Sequence, residues 1–239
     1  SDLGCQPMLF EHLHIIFNGE VYNFLEIKGE LVTLGYDFIS ETDTEVILKA
    51  FHRWGIQCVD KFRGMFAFVI YDTKQQKLFM FRDRAGVKPF YYHVTDGLFL
   101  FASELKAFHQ HDGFAKTINK NVIPPYMQFG YIPAPYSLFE ATYKLKAGHY
   151  LELNIQNSKF KIKQYWDVNE LYCAEKTAAS EEEVLKILET KLTEACSLRM
   201  VSDVPVGVFL SGGIDSSLVT ALLQKESATP LKTFTIGFE

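Results

Sequence analysis

The sequence predicts an α+β layered sandwich with an αββα order of layers over residues 1–168, then a linker at 169–179 and the start of a doubly wound α/β domain at 180–239. Three observations lead there. Amphipathic helical segments precede a series of aromatic and β-branched strands. Those strands are apolar on both faces, which calls for a second sheet and covering helices. Near residue 180 the hydrophobic period switches from 2 to 3.6, and strand, glycine turn, helix and strand follow in the order of a βαβ unit.

Length and composition set the outer bounds. A chain of 239 residues fits one large or two small globular units, and 48% hydrophobic with 22% charged residues is ordinary globular usage, excluding a disordered or collagen-like chain. The net charge of -5 argues against a phosphate-backbone binder, so small ligands or protein partners are expected and nucleic acid is not. No apolar run approaches the roughly 18 residues needed to cross a bilayer, and the first residues do not read as a signal peptide. A cytoplasmic chain with no membrane association is the expectation.

Cys5, Cys58, Cys173 and Cys196 lie far apart with no CxxC pair and read as free thiols rather than a zinc site or disulfide framework. His109-Gln110-His111 has no neighbouring Cys or carboxylate cluster and reads as a solvated turn without metal.

The elements follow in order. His14 to Phe17 is a short strand expected to stop at the turn dipeptide Asn18-Gly19. A helix follows, with Asn23 and Glu26 at capping-box spacing, Phe24, Ile27, Leu31 and Leu34 on one face, and Gly35 closing it. A second helix repeats the spacing with Thr42 and Glu45, buries Val46, Ile47, Ala50, Phe51 and Trp54, and ends at Gly55. Strands are expected at 66–71, 78–81, 90–94 and 98–102, pairing as hairpins across 72–77 and 95–97. Residues 121–137, with four prolines among aromatics, read as loop and short helix. Alternation at 151–155 and 160–163 predicts a half-exposed hairpin. Asn169 to Ala179 shows neither period and reads as the linker.

The second part opens with a helix capped by Ser180 and Glu183 and carrying Val184, Leu188, Leu192, Ala195 and Leu198 on one face. A strand at 206–210, a glycine turn at 211–215, a helix at 216–225 and a strand at 233–236 complete the βαβ unit. Two parallel strands cannot bury both faces of a sheet, so this unit is expected to continue in further chain or lean on a partner.

The segment Leu210-Ser211-Gly212-Gly213-Ile214-Asp215-Ser216-Ser217 carries the most chemistry. A glycine turn from strand to helix aims backbone N–H groups and the positive end of the helix dipole at one spot, an anion site suited to phosphate. Ser211, Ser216 and Ser217 add hydroxyls, and Asp215 offers an oxygen ligand to Mg²⁺. The plainer alternative is a tight turn in which Asp215 merely caps the helix. GxxxxGK[ST] and GxGxxG are both absent, which removes support for kinase-like or motor-like chemistry.

At these residues the sequence resembles the ATP pyrophosphatase loop of amide-forming synthetases. The resemblance implies ATP as co-substrate, adenylation of a carboxylate and release of pyrophosphate, with Ile236 in the following strand as the position that offers backbone groups to adenine. Gln6-Pro7-Met8, Phe17 to Asn23, Thr42 to Glu45, Arg82 to Pro89 and Phe101 to Lys106 resemble the glutaminase domain of glutamine-dependent asparagine synthetases, and the likeness runs essentially the whole chain. It implies an Ntn-hydrolase-like sandwich and an ATP-pyrophosphatase-type second domain. It further implies an oxyanion hole from Asn18 and Gly19, a glutamine pocket lined by Glu20, and Asp43 on the α-amino group of glutamine. The substrates implied are glutamine, ATP and aspartate or another carboxylate such as a sugar acid, and a homodimer is compatible with it.

The residues alone supply a rationale for those roles. An Asn amide and a Gly N–H can stabilise the oxyanion of acyl transfer, and a carboxylate pairs with an ammonium. They equally allow an ordinary Asn-Gly turn and an Asp in a helix first turn. Arg82 to Pro89 reads as a structural turn with paired charges. Enzymes that the sequence resembles begin with a nucleophilic cysteine, a role that neither Cys5 nor Ser1 takes over. The expectation is therefore an internal fragment of a larger amidotransferase that by itself turns over neither glutamine nor ATP. The competing reading is a binding module that has lost its nucleophile.

Overall fold

The computed structural model describes residues 4–202 and 204–237, and the chain divides into two compact units, residues 1–173 and 174–239. The first unit begins with β1 (Met8–Phe10) and β2 (Leu13–Val21), joined by the two-residue turn Glu11-His12, and continues into α1 (Phe24–Thr33) and α2 (Asp43–Trp54). A short α3 (Cys58–Lys61) leads to β3 (Gly64–Asp72) and β4 (Lys77–Arg82). Then come β5 (Tyr91–Thr95), β6 (Leu98–Ala102), α4 (Leu105–Phe108), α5 (Ile123–Phe129), β7 (Thr142–Lys144), β8 (His149–Asn154), β9 (Lys159–Gln164) and α6 (Val168–Tyr172).

Two antiparallel sheets result, a six-stranded one in the order β1-β2-β3-β4-β8-β9 and a three-stranded one in the order β6-β5-β7. The near-continuous apolar run of β3 is explained by its neighbours on either side. Phe66, Phe68 and Ile70 point into a core shared with Ile27, Leu31, Val46, Ile47 and Phe51 of the helices. Ala67 and Val69 point the other way, into a core with Phe90 and Tyr92 of the second sheet. The outer face of that second sheet, with Tyr91 and Leu100, packs on Phe108, Phe114 and Phe139. The layers are therefore helices, sheet, sheet and a thin outer layer that includes α4, as the αββα prediction requires.

Several local expectations are corrected. Asn18-Gly19 does not end β2: the strand runs on to Val21, paired with β3 as Asn18↔Ala67 and Gly19↔Phe66. Asn23 makes no cap hydrogen bond to α1; its side chain is spent on the approach to β3, with Nδ2 donating to Lys61 O at 3.0 Å and Oδ1 accepting from Arg63 N at 2.8 Å. Thr42 does cap α2, accepting from Glu45 N at 3.4 Å, but Glu45 turns away from the reciprocal bond. The Glu45 carboxylate instead accepts from Ser40 N and Oγ, from Ile39 N and from Lys49 Nζ, and both Glu45 and Lys49 are buried. The hairpin β8–β9 is half-exposed only in the sense that β9 is exposed throughout as the edge strand, while β8 is sandwiched and Leu151 and Leu153 are buried. His109 is not a solvated turn residue but packs its ring on Phe114 and Phe139. The four cysteines are free thiols.

Arg82 to Pro89 carries the chain from one sheet to the other. Its charges bind backbone rather than each other: Arg82 donates to the carbonyls of Gly86, Lys88 and Leu145, and the buried Asp83 carboxylate accepts from the N–H groups of Phe66, Val87 and Lys88. The paired charges expected for this segment are thus replaced by bonds to backbone.

In the second unit, α7 (Glu181–Leu198) starts with the complete Ser180–Glu183 capping box, and β10 (Val208–Phe209) pairs in parallel with β11 (Thr233–Phe234) across α8 (Ile214–Glu226). Two further corrections apply, one at the end of the first unit and one in the second. The stretch read as a linker contains α6, capped by Asp167 at 2.9 Å to Asn169 N. The last helix begins at Ile214 with Gly213 as its cap, so Asp215 lies inside the first turn and does not cap it. Among the described residues no helix is long and apolar enough to cross a membrane.

Candidate functional site

The end of β2 and the start of α2 meet at the first candidate site. Asn18, Gly19 and Glu20 follow one another on β2, and the next residue, Val21, donates its N–H to Asp43 Oδ2 at 3.0 Å. That bond brings the α2 carboxylate to the strand although 22 residues separate the two. Gly19 is required by geometry: its φ is +150°, and a Cβ there would run into the Met65 carbonyl oxygen of β3.

Burial, opposed by the Val21 N–H and reinforced by the charge of Glu20, pushes the Asp43 carboxyl up to about 6. A carboxylate held in that condition lacks a cation, and a ligand ammonium placed beside it would relieve the burial cost. Asn18 is exposed, and its Nδ2 donates to Ser103 Oγ at 3.2 Å. Asn18 and Ser103 line a cavity of about 160 Å³ with Gln6, Phe17, Phe90 and Phe101. Gln6 is fixed by accepting the Phe17 N–H on its Oε1 at 2.6 Å. Gln6 and Ser103 were not assigned a role from sequence, although both fall in segments that carry the family resemblance. Ser103 reaches Asn18 from 85 residues away, a proximity no local pattern encodes.

The second candidate site is the turn from β10 to α8. Leu210 is tied to the neighbouring strand, its N–H donating to Phe234 O at 2.9 Å and its carbonyl accepting from Thr235 Oγ1 at 2.7 Å. Gly212 has φ +80°, which lets the chain turn sharply into the helix. Ser211 and Ser216 hydroxyls lie 3.1 Å apart, and Ser217 Oγ donates to Gly213 O at 2.8 Å. Ser211, Gly212, Gly213, Asp215 and Ser217 are all exposed around the first turn of the 13-residue helix. The turn thus gathers backbone N–H groups, hydroxyls and the Asp215 carboxylate around a helix N-terminus. Ile236, just past β11, is exposed.

The two units also match different families. Residues 1–166 match the glutamine amidotransferase domain and residues 188–239 match asparagine synthase. The chain is 40% identical over 228 residues to a putative glutamine-hydrolysing asparagine synthetase 2 of Methanocaldococcus jannaschii, covering 94% of this chain and 43% of that protein. It is 35% identical over 245 residues to the glutamine-hydrolysing asparagine synthetase 3 of Bacillus subtilis, covering 99% of this chain and 39% of that protein. The chain thus spans about two fifths of the length of these relatives. Among solved structures, an allosteric regulatory enzyme of purine biosynthesis shares the fold with a TM-score of 0.50 at 19% identity, over 98% of this chain and 47% of that one.

Proposed function

This chain belongs to the family of glutamine amidotransferase domains, and from that membership we propose that it is part of a glutamine-dependent, ATP-dependent asparagine synthetase. The observation that carries the proposal is the junction of β2 with α2, where the strand that carries Asn18, Gly19 and Glu20 reaches Val21, whose N–H donates to an Asp43 carboxylate in want of a cation. In this reading Asp43 and Glu20 receive the amino-acid end of glutamine. The Asn18 amide and the Gly19 N–H stabilise the oxyanion formed as the side-chain amide is attacked. Hydrolysis gives glutamate and ammonia.

The N–H groups and hydroxyls of the turn 210–217 would receive the phosphates of ATP, Asp215 would hold Mg²⁺, which would neutralise phosphate charge, and Ile236 would lie beside the adenine. Aspartate is the acceptor: its carboxylate attacks the α-phosphate, pyrophosphate leaves, and ammonia displaces AMP to give asparagine. No residue of the glutaminase half is assigned the attacking role. Cys58 is unsuited to the role, because burial, with Asp60 adding to it, pushes its thiol well above the ordinary value, the opposite of an activated nucleophile.

The test has two parts. An acceptor screen for pyrophosphate release by an intact polypeptide containing this chain is expected to select aspartate; selection of a sugar acid or other carboxylate would overturn the acceptor assignment. Mass spectrometry of glutamine incubated with the 239-residue chain is expected to show glutamate only at the uncatalysed rate. Faster formation would place the nucleophile within the chain.

A further inference from the structure

We propose that Glu11, His12 and His52 form a binding site for a divalent transition metal, with Zn²⁺ the best match, at the end of the first unit away from the glutamine cleft. The site is independent of the proposed function. Glu11 and His12 are the whole of the turn between β1 and β2, and His52 lies in the last turn of α2. Six residues of extended strand separate His12 from Asn18, which is about 20 Å.

The spacing fits a metal before any metal is bound. One ligand atom from each of the three residues lies within 4.8 Å of the others. Glu11 Oε2 is 3.2 Å from His52 Nε2 and 3.7 Å from His12 Nδ1. In a tetrahedral site with bonds of about 2.1 Å, neighbouring ligand atoms stand about 3.4 Å apart. Both Glu–His edges are therefore near their final length, and only the His–His edge has to close.

The surroundings point the same way. His12 Nδ1 is buried with no hydrogen-bond partner, an uncommon state for an imidazole nitrogen and one that a metal would resolve. His52 Nδ1 is 2.7 Å from the Tyr36 hydroxyl, which can accept its proton and so is compatible with the tautomer that leaves Nε2 bare. Phe10 packs edge-on against the His52 ring, 5.1 Å between centroids, and fixes its direction. Behind His12, the buried Asp72 carboxylate stands 3.8 Å from Nε2, and a closer approach would give the hydrogen bond of a carboxylate–histidine–metal relay. Glu11 has φ +51°, a conformation that glycine usually supplies at such a turn, and it holds the carboxylate between the two rings. Two imidazoles and one carboxylate suit Zn²⁺ rather than Mg²⁺ or Ca²⁺, and three protein ligands leave the fourth position for water.

Titration of the metal-free 239-residue chain with Zn²⁺ in excess Mg²⁺ is expected to give one saturable site and a higher melting temperature. His12→Ala and His52→Ala should each weaken binding by at least about 10-fold, as should Tyr36→Phe acting through His52, while His111→Ala leaves it unchanged. Absence of saturable binding, or binding indifferent to both His12→Ala and His52→Ala, overturns the proposal. Should those variants fail to fold, Co²⁺ added to the unmodified chain decides. Ligand-field bands of a four- or five-coordinate nitrogen and oxygen site support the assignment. A thiolate-to-cobalt charge-transfer band, or no bands at all, refutes it.

Discussion

The Asp43 carboxylate at the start of α2 accepts the Val21 N–H at the end of β2 at 3.0 Å, and this bond ties the first turn of the helix to the strand that carries Asn18 and Gly19. Its cost is visible in the titration of Asp43. Because burial, countered by the Val21 N–H and augmented by Glu20, raises the folded pKa to about 6, the folded chain holds this proton more tightly than the unfolded chain. The associated stability is fully present below the unfolded value and is lost as the pH rises through about 6. Asp43→Asn is therefore expected to be more stable than the parent by about 2 kcal/mol at pH near 7.5, with no difference below pH of about 4. Urea unfolding at the two pH values checks this; equal stabilities at the higher pH would contradict the burial argument.

Gly19→Ala is expected to unfold the first unit or to destabilise it by about 3 kcal/mol or more, since the new methyl meets the Met65 carbonyl and the backbone has positive φ. Gly29→Ala, at a helical position where an added Cβ meets nothing within 4 Å, serves as the control and is expected to be neutral or stabilising. Thermal melts of the two variants distinguish these outcomes.

Removing the cation from the buried Glu45–Lys49 pair, 2.5 Å apart, leaves a carboxylate supported only by Ser40 and Ile39. Lys49→Met is expected to cost about 3 kcal/mol, and adding Glu45→Gln to recover much of it. Burial raises the Glu45 carboxyl, but Lys49, Ser40 and the backbone outweigh it and hold the group below its ordinary value. The pair's contribution is therefore present above the unfolded pKa and disappears as the pH falls through the folded one. Chemical denaturation of single and double variants across that range measures both effects.

Asp215→Ala is expected to lower the affinity of an intact polypeptide containing this chain for ATP by at least about 10-fold in the presence of Mg²⁺. It should lower stability by no more than about 1 kcal/mol, the worth of an exposed carboxylate in a helix first turn. Calorimetric titration and a melting curve of the same sample separate the two, and unchanged affinity would remove the metal role of Asp215.

Much of the architecture was legible because periodicity reports burial directly. The stripes of α1 and α2 and the doubly apolar β3 announced helices over a two-layered sheet core, whereas the stripe of α7, read the same way, has no buried residue. What failed were side chains with more than one available partner. Asn23 had the spacing of a cap but found Lys61 and Arg63, and Glu45 had the spacing of a capping box but found Ser40 and Lys49. Asn18-Gly19 looked like a turn because local chemistry permits one, whereas pairing with β3 keeps it extended. The candidate cleft was legible as far as its residues are contiguous. Ser103 and the trio Glu11, His12 and His52 were not, because their meeting depends on tertiary packing.

Gly19 has a counterpart across the ladder in Gly64, whose absent side chain would strike the Glu20 carbonyl just as one at Gly19 would strike Met65. In both cases the obstacle is main chain, which every amino acid shares. No compensatory exchange elsewhere can make room, so these positions are closed to drift and to library selection alike. Any retuning of ligand preference in a descendant or an engineered variant has to come from the walls, through residues such as Ser103 and Gln6, while the floor stays as it is.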